Sequence, residues 1–246
     1  MLKEFAEGAR CLFRGFTWLT RPGVKRHVLI PLVINILLFA AAIAIGAHYF
    51  GAWLAHWTAS LPRWLIWLAA LLWVIFAFAA IVALFYTFTL VANLVGAPFN
   101  SFLSARVETL LTGKRPESGH GLAGEIATAL RDQLRRTLYI LWRAILIGIL
   151  GLLLLFVPLL NFLTPLLWFA FTAWMLAMQY SDYPLSNHGI NFAAQRRLFR
   201  QQRARLIGFG TAAALCTLIP LVNFIIMPVA VAGATLLWAE APARNP

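Results

Sequence analysis

Charge is what this sequence has least of. Lys and Arg number 20 and Asp and Glu only 8, so charged residues make up 11% of the 246 positions, against about 25% in a typical soluble domain. That scarcity excludes an ordinary soluble globule. Cysteine is nearly absent: Cys11 and Cys216 lie far apart and share no ligand-like spacing, which excludes a disulfide framework and a structural zinc site. No P-loop, dinucleotide fingerprint, serine-nucleophile elbow or His-Glu-x-x-His pattern occurs, so no nucleotide, metal or cofactor chemistry is expected of this polypeptide. Residues 1–20 scatter Lys3, Glu4, Glu7, Arg10 and Arg14 through the stretch, and so do not read as a secretory signal with a continuous apolar core.

What is present is apolar: 62% of the chain. Four windows, residues 27–62, 64–105, 144–181 and 206–239, contain no Asp, Glu, Lys or Arg. Each exceeds the roughly 20 residues that one membrane span requires. The expected fold class is therefore an all-α integral membrane protein. The net charge of +12 would point to nucleic acid in a soluble chain. Here the bases flank the apolar windows, as membrane topology alone places them, and no nucleic-acid partner is expected.

Residues 1–20 carry apolar side chains at Leu2, Phe5, Ala9, Leu12, Phe13, Phe16 and Leu19, the three-to-four spacing of an amphipathic helix lying on the membrane surface. Arg21-Pro22-Gly23 breaks it, and a new helix is expected to start there. Long membrane helices are expected over 22–57 and 64–112, joined by a turn at Ser60-Leu61-Pro62-Arg63. Trp53, Trp57, Trp64 and Trp67 bracket that turn as interfacial aromatics do. Gly96-Ala97-Pro98 marks an exit or kink in the second helix.

The last two windows, 144–181 and 206–239, are each split by paired prolines. Pro158-Leu159-Leu160-Asn161-Phe162 with Pro165, and Pro220-Leu221-Val222-Asn223-Phe224 with Pro228, are near copies of one hairpin tip. Halves of about 11–16 apolar residues reach about 17–24 Å, short of the hydrocarbon core. They read as re-entrant hairpins, with tightly turned full spans as the alternative. Re-entrant tips imply an oligomer or a pore, because non-helical backbone at membrane depth must be buried in protein or line water. Basic segments are expected over 106–143 and 182–205. Only Arg63 lies on the other side, so both termini are expected in the cytoplasm.

Arg21-Pro22-Gly23-Val24-Lys25-Arg26 joins a helix N-terminus to a cluster of bases. Unpaired N–H groups of Gly23, Val24 and Lys25 would point at an oxyanion, with the macrodipole adding about half a positive charge. A positive-inside anchor is the other reading. Asn100, Arg106 and Glu108 form a second group of possible pore or selectivity residues; Arg106 and Glu108, two apart, are expected to pair with other segments. An Arg left unpaired near water selects anions. Asn35, Asn93, Asn161, Gln179 and Asn223 are expected to hydrogen-bond between helices. Asp182 and His188 suit a loop-ordering turn, the alternative being an acid–base pair; His120 and Glu125 have nothing to bind them into a metal site.

The ordered set of features resembles the CysZ family of bacterial sulfate permeases. Its carriers are Gly15 to Leu19, Pro22-Gly23-Val24-Lys25-Arg26, Ala97-Pro98-Phe99-Asn100, Val107-Glu108 and Leu111-Thr112-Gly113. They continue with Leu167-Trp168-Phe169, Ala173 to Ala177, Gln179-Tyr180, Asp182-Tyr183-Pro184 and Asn187-His188. The resemblance implies a homo-oligomer with two long membrane helices and two partially penetrating hairpins, taking up sulfate through the inner membrane for cysteine synthesis, without catalysis or cofactor. It implies sulfate held at Gly23, Val24, Lys25 and Arg26. The family carries a Gly-Leu-Arg-type sequence there, and Lys25 replaces a planar fork with a point charge. It also implies assembly in opposed orientations, whereas the charge bias favours one. A non-catalytic scaffold and, further off, an interfacial membrane enzyme are the alternatives.

Overall fold

A computed structural model describes residues 1–59, 62, 66–116, 122–157, 159–223 and 225–241, and every regular element among them is a helix. They are α1 (Leu2–Leu19), α2 (Lys25–Ala59), α3 (Ile66–Thr112), α4 (Leu122–Leu155), α5 (Leu163–Asn187), α6 (Phe192–Gln201), α7 (Arg203–Thr217), α8 (Pro220–Asn223) and α9 (Ile226–Ala239). The all-α membrane architecture expected from composition is the one found. Lipid offers no hydrogen-bond partner, so apolar windows this long must satisfy their backbone internally, and helices do so.

The chain divides into two compact units, Arg26–Phe99 and Met1–Lys25 with Asn100–Pro246. The first comprises α2 from Arg26 and α3 as far as Phe99. Leu29, Val33, Ile36, Leu37, Val74, Phe78 and Ile81 are exposed on it, the surface of helices whose surroundings are lipid rather than water. Residues 25–46 of α2 are long and apolar enough to cross a membrane. Pro31 and Pro98 both lie inside helices rather than ending them. Ser60, Leu61, Arg63 and Trp64 of the expected turn lie outside the described residues.

In the second unit α9 is the central stave, buried at Ile226 and from Val229 to Leu237. An apolar helix with no polar face is stable only when covered all round. It is covered by α1, α5 and α7, and Ser104 of α3 meets Thr235 at 2.9 Å. The helices approach closely through glycines. A Cβ at Gly8 would lie 1.8 Å from the Arg205 carbonyl oxygen, and one at Gly208 2.0 Å from that of Phe5, so α1 and α7 cross backbone to backbone. Small residues at such crossings are the usual means of packing membrane helices.

α1 is amphipathic as expected, but its inner face, Gly8, Cys11, Leu12, Gly15 and Trp18, is buried against α7 and α9. Of the apolar positions that periodicity assigned to lipid only Leu12 is buried there, while Leu2, Phe5 and Phe13 stay exposed; the buried face is a neighbouring one whose glycines let α7 and α9 approach. Two ion pairs hold it there: Arg14 binds both carboxylate oxygens of Glu240 at 2.6 and 2.7 Å, and Glu7 lies 3.7 Å from Arg205.

In the regions of the two paired-proline tips, α4 packs against α5 and α7 against α9. Helices α7 and α9 have 15 and 14 residues, or about 22 and 21 Å at ~1.5 Å per residue. Helices α4 and α5 are longer, with 34 and 25 residues. They overrun the window 144–181 at both ends, since Arg131 to Arg143 and Asp182 to Asn187 interrupt the apolar run without interrupting the helical turn. Residues 133–155 of α4 are a second stretch of membrane-crossing length among the described residues. The tips close on local bonds: Leu160 N–H to the Val157 carbonyl, 2.8 Å, and Ile225 N–H to that of Val222, 3.0 Å. Pro158 and Phe224 of the repeated tip lie outside the described residues.

Among the described residues, the interhelical bonds expected of Asn35, Asn161, Gln179 and Asn223 are not made. Asn161, Gln179 and Asn223 are exposed, and the Asn35 carbonyl oxygen is buried without a partner. Counting polar residues within apolar windows locates them along the chain but not around the helix. The Asn93 side chain lies outside the described residues, as do His120 and the side chain of Glu125.

Candidate anion site

The turn between α1 and α2 is built from local bonds. Arg21 N–H donates to the Trp18 carbonyl and Val24 N–H to the Arg21 carbonyl, each at 3.2 Å. The Arg21 guanidinium lies 3.7 Å from the centre of the Trp18 ring, a cation–π contact. Gly23 closes the turn at φ +82°, a left-handed conformation that costs other residues about 1–2 kcal/mol. The Val24 side chain is fully buried beneath it, while Lys25 and Arg26 are exposed. Arg26 opens the other compact unit. Of the three backbone donors expected to be free, Val24 N–H is therefore committed, donating to the Arg21 carbonyl within the turn.

Opposite this turn stands Arg106 of α3. A Cβ at Gly23 would fall 2.9 Å from its Nη2 and 3.2 Å from its Nε. The absence of a side chain at position 23 is what admits the guanidinium. Arg106 Nε is buried without a hydrogen-bond partner, and no carboxylate pairs with Arg106 among the described residues. Two groups singled out separately in the sequence, Gly23 and Arg106, thus meet in space. A buried, bare N–H on a permanent cation is a donor waiting for an anion.

Asn100 and Glu108 face elsewhere. Eight residues separate them, about 80° around a helix, so they share a face directed at the end of α5. Asn100 Nδ2 donates to the Tyr183 hydroxyl at 3.5 Å. Burial pushes the Tyr183 phenol above its ordinary pKa, while the Asn100 bond opposes that shift. Glu108 Oε1 lies 2.6 Å from His188 Nε2. Glu108 therefore has a partner in another segment, as expected. Among the described residues Arg106 has no acidic one.

Asp182 and His188 do not meet as an acid–base pair. Asp182 binds Arg136 through both oxygens, accepts from Ser186 Oγ at 2.7 Å and from Gln195 Nε2 at 2.9 Å. Gln195 also donates to the Ile190 carbonyl, and Asn191 caps α6 through Ala194 N–H. This is the loop-ordering role. Sequence reading missed Arg136, Gln195 and the Arg14–Glu240 bridge, whose members stand 226 positions apart and carry no local signal of each other. Among the described residues no three His, Cys, Asp or Glu side chains gather to hold a metal.

Residues 11–228 match the family described as Sulfate transporter CysZ/Etoposide-induced protein 2.4. The chain belongs to that family. The protein named Sulfate transporter CysZ from Pseudomonas aeruginosa PAO1 is 40% identical over 236 residues, covering 95% of this chain and 94% of its own. That of Pectobacterium atrosepticum is 36% identical over 95% of this chain and 84% of its own. That of Vibrio cholerae is 40% identical over 88% and 86%. Gly23, Lys25, Arg26 and Arg106 all fall within the stretch matched to the CysZ family.

Proposed function

We propose that this chain is a sulfate permease of the bacterial inner membrane, supplying sulfur for cysteine synthesis and using no bound cofactor or nucleotide. The observation that carries the reading is Arg106, a cation without an acidic partner among the described residues, its Nε buried and bare, set against the left-handed turn at Gly23. Sulfate is a tetrahedral dianion whose oxygens accept from a guanidinium fork. Lys25 and Arg26, exposed at the start of α2, supply the field that draws it in. Without a third basic fork at position 25 the contact stays weak enough for release, which conduction requires.

Against an inside-negative potential of ~100 mV a dianion enters at a cost of about 4.6 kcal/mol. Two co-transported protons would cancel that charge and leave the pH gradient to drive uptake. We read both termini as cytoplasmic, since the basic segments fall on one side. The α7–α9 hairpin is read as re-entrant, since α7 and α9 reach about 22 Å where a span needs ~30 Å. Its tip and that of α4–α5 expose Leu159, Phe162, Leu218 and Leu221, surface that a homo-oligomer or lipid covers.

The test is radiolabelled sulfate uptake into proteoliposomes holding only this protein, with pH gradient and potential set separately. Saturable uptake that collapses in Arg106→Ala, and falls in Lys25→Ala with Arg26→Ala, is the expected result. Folded protein without flux under any gradient would move the chain to the scaffold class.

A further inference from the structure

Apart from the anion site, a cavity lies where α4, α5, α6 and α7 meet. It has a volume of about 380 Å³, and Arg143, Arg196, Arg200 and Arg203 line it together with Tyr139 and Trp174. No acidic residue lines it, and no carboxylate pairs with any of the four arginines among the described residues.

Two of the four, Arg143 and Arg196, rest on aromatic faces. The Arg196 guanidinium lies 4.4 Å above the Tyr139 ring. Arg143 lies 5.3 Å from the same ring and 5.9 Å from that of Trp174, and donates to the Tyr139 hydroxyl at 3.3 Å. Four like charges around one cavity repel each other and weaken the fold until an anion neutralises them. Planar forks fixed on aromatic rings suit the oxygens of a phosphate.

Position along the chain says which kind of phosphate. Arg143 is the last charge of α4 before the apolar run from Ala144 to Leu155, and Arg203 and Arg205 are the last before the window from Leu206. The cavity thus stands at the junction of basic and apolar segments, the level of the membrane–water interface. Its floor is apolar, with Met178, Leu206 and Ile207. Next to it Trp142, Ile145 and Leu146 expose an apolar flank on α4. A ligand with an anionic head and an apolar tail matches both halves.

We propose that this cavity holds the phosphodiester headgroup of an anionic phospholipid, with its acyl chains along the apolar flank of α4. The site takes no part in the sulfate reading and does not depend on it. Basic pockets between membrane helices on the cytoplasmic side are where such headgroups bind.

The test uses the full chain, purified in detergent and stripped of lipid, read by thermal melting and native mass spectrometry. Phosphatidylglycerol raises the melting temperature and leaves a bound-lipid peak, because a ligand of the folded state stabilises it. Phosphatidylcholine of the same chain length does neither. Arg200→Gln and Arg203→Gln, both at exposed positions where folding is retained, each weaken phosphatidylglycerol binding about fivefold. Arg106→Ala leaves it unchanged. Equal response to the two lipids, or unaltered affinity in both arginine variants, would overturn the proposal. Displacement of phosphatidylglycerol by millimolar inorganic phosphate would also overturn it, and would assign the cavity to a soluble oxyanion.

Discussion

Replacing Asp182 with Ala removes the acid of a nearly closed ion pair. The Arg136 and Asp182 side chains are 9% and 18% exposed, so solvent screens their attraction little. In the variant the Arg136 guanidinium keeps only the amide oxygens of Gln133 and Gln195, while its charge stays desolvated. Breaking one side of such a pair costs about 3–5 kcal/mol. At roughly 2–4 °C per kcal/mol for a chain of this size, the melting temperature falls by about 6–20 °C. Removing both partners with apolar residues, Arg136→Met with Asp182→Leu, leaves no buried charge behind and returns the protein to within about 1–2 kcal/mol of the parent. Melting followed by size-exclusion chromatography in detergent reads both variants. A single variant costing under about 1 kcal/mol, or a double variant that costs as much as Asp182→Ala, would refute the account of Asp182 as a structural anchor.

Gly23→Ala puts a methyl group 2.9 Å from Arg106 Nη2 at φ +82°, so it both strains the turn and displaces the guanidinium; sulfate affinity measured by calorimetry falls about tenfold or more. Gly208→Ala sets a Cβ 2.0 Å from the Phe5 carbonyl oxygen, where only backbone can move, and lowers stability by about 1–3 kcal/mol in the same melting assay. In a Cys216→Ser background, Cys11 reacts slowly with maleimide at pH 7.5. Burial, and then Glu240, push its pKa upward, so less thiolate is present at any given pH, and labelling accelerates as pH rises. Alkaline phosphatase fused after Ala241 is inactive and green fluorescent protein is bright if the C-terminus is cytoplasmic; the opposite pattern would overturn that topology.

Charge distribution and apolar run length determined most of the architecture by themselves. The expected helices over 22–57 and 64–112 lie within a few residues of Lys25–Ala59 and Ile66–Thr112, because a charge-free window this long has no alternative to the helix in lipid. Gly23 was legible for the same kind of reason: a Gly after a Pro at a helix junction marks backbone that other residues adopt at a cost.

Around the helix, composition carries no information. Only tertiary structure decided that the inner face of α1 meets α7 and α9 rather than lipid, that Asn161 and Asn223 point outward, and that Arg14 finds Glu240. It also decided the partners of Arg106 and Glu108. Both were visible as charges beyond Pro98, but what each one meets depended on where His188 and Gly23 arrive in space. Run length is a local property that solvent reads directly. Pairing joins residues tens to hundreds of positions apart, and it is set by which small side chains let two backbones come close enough to touch.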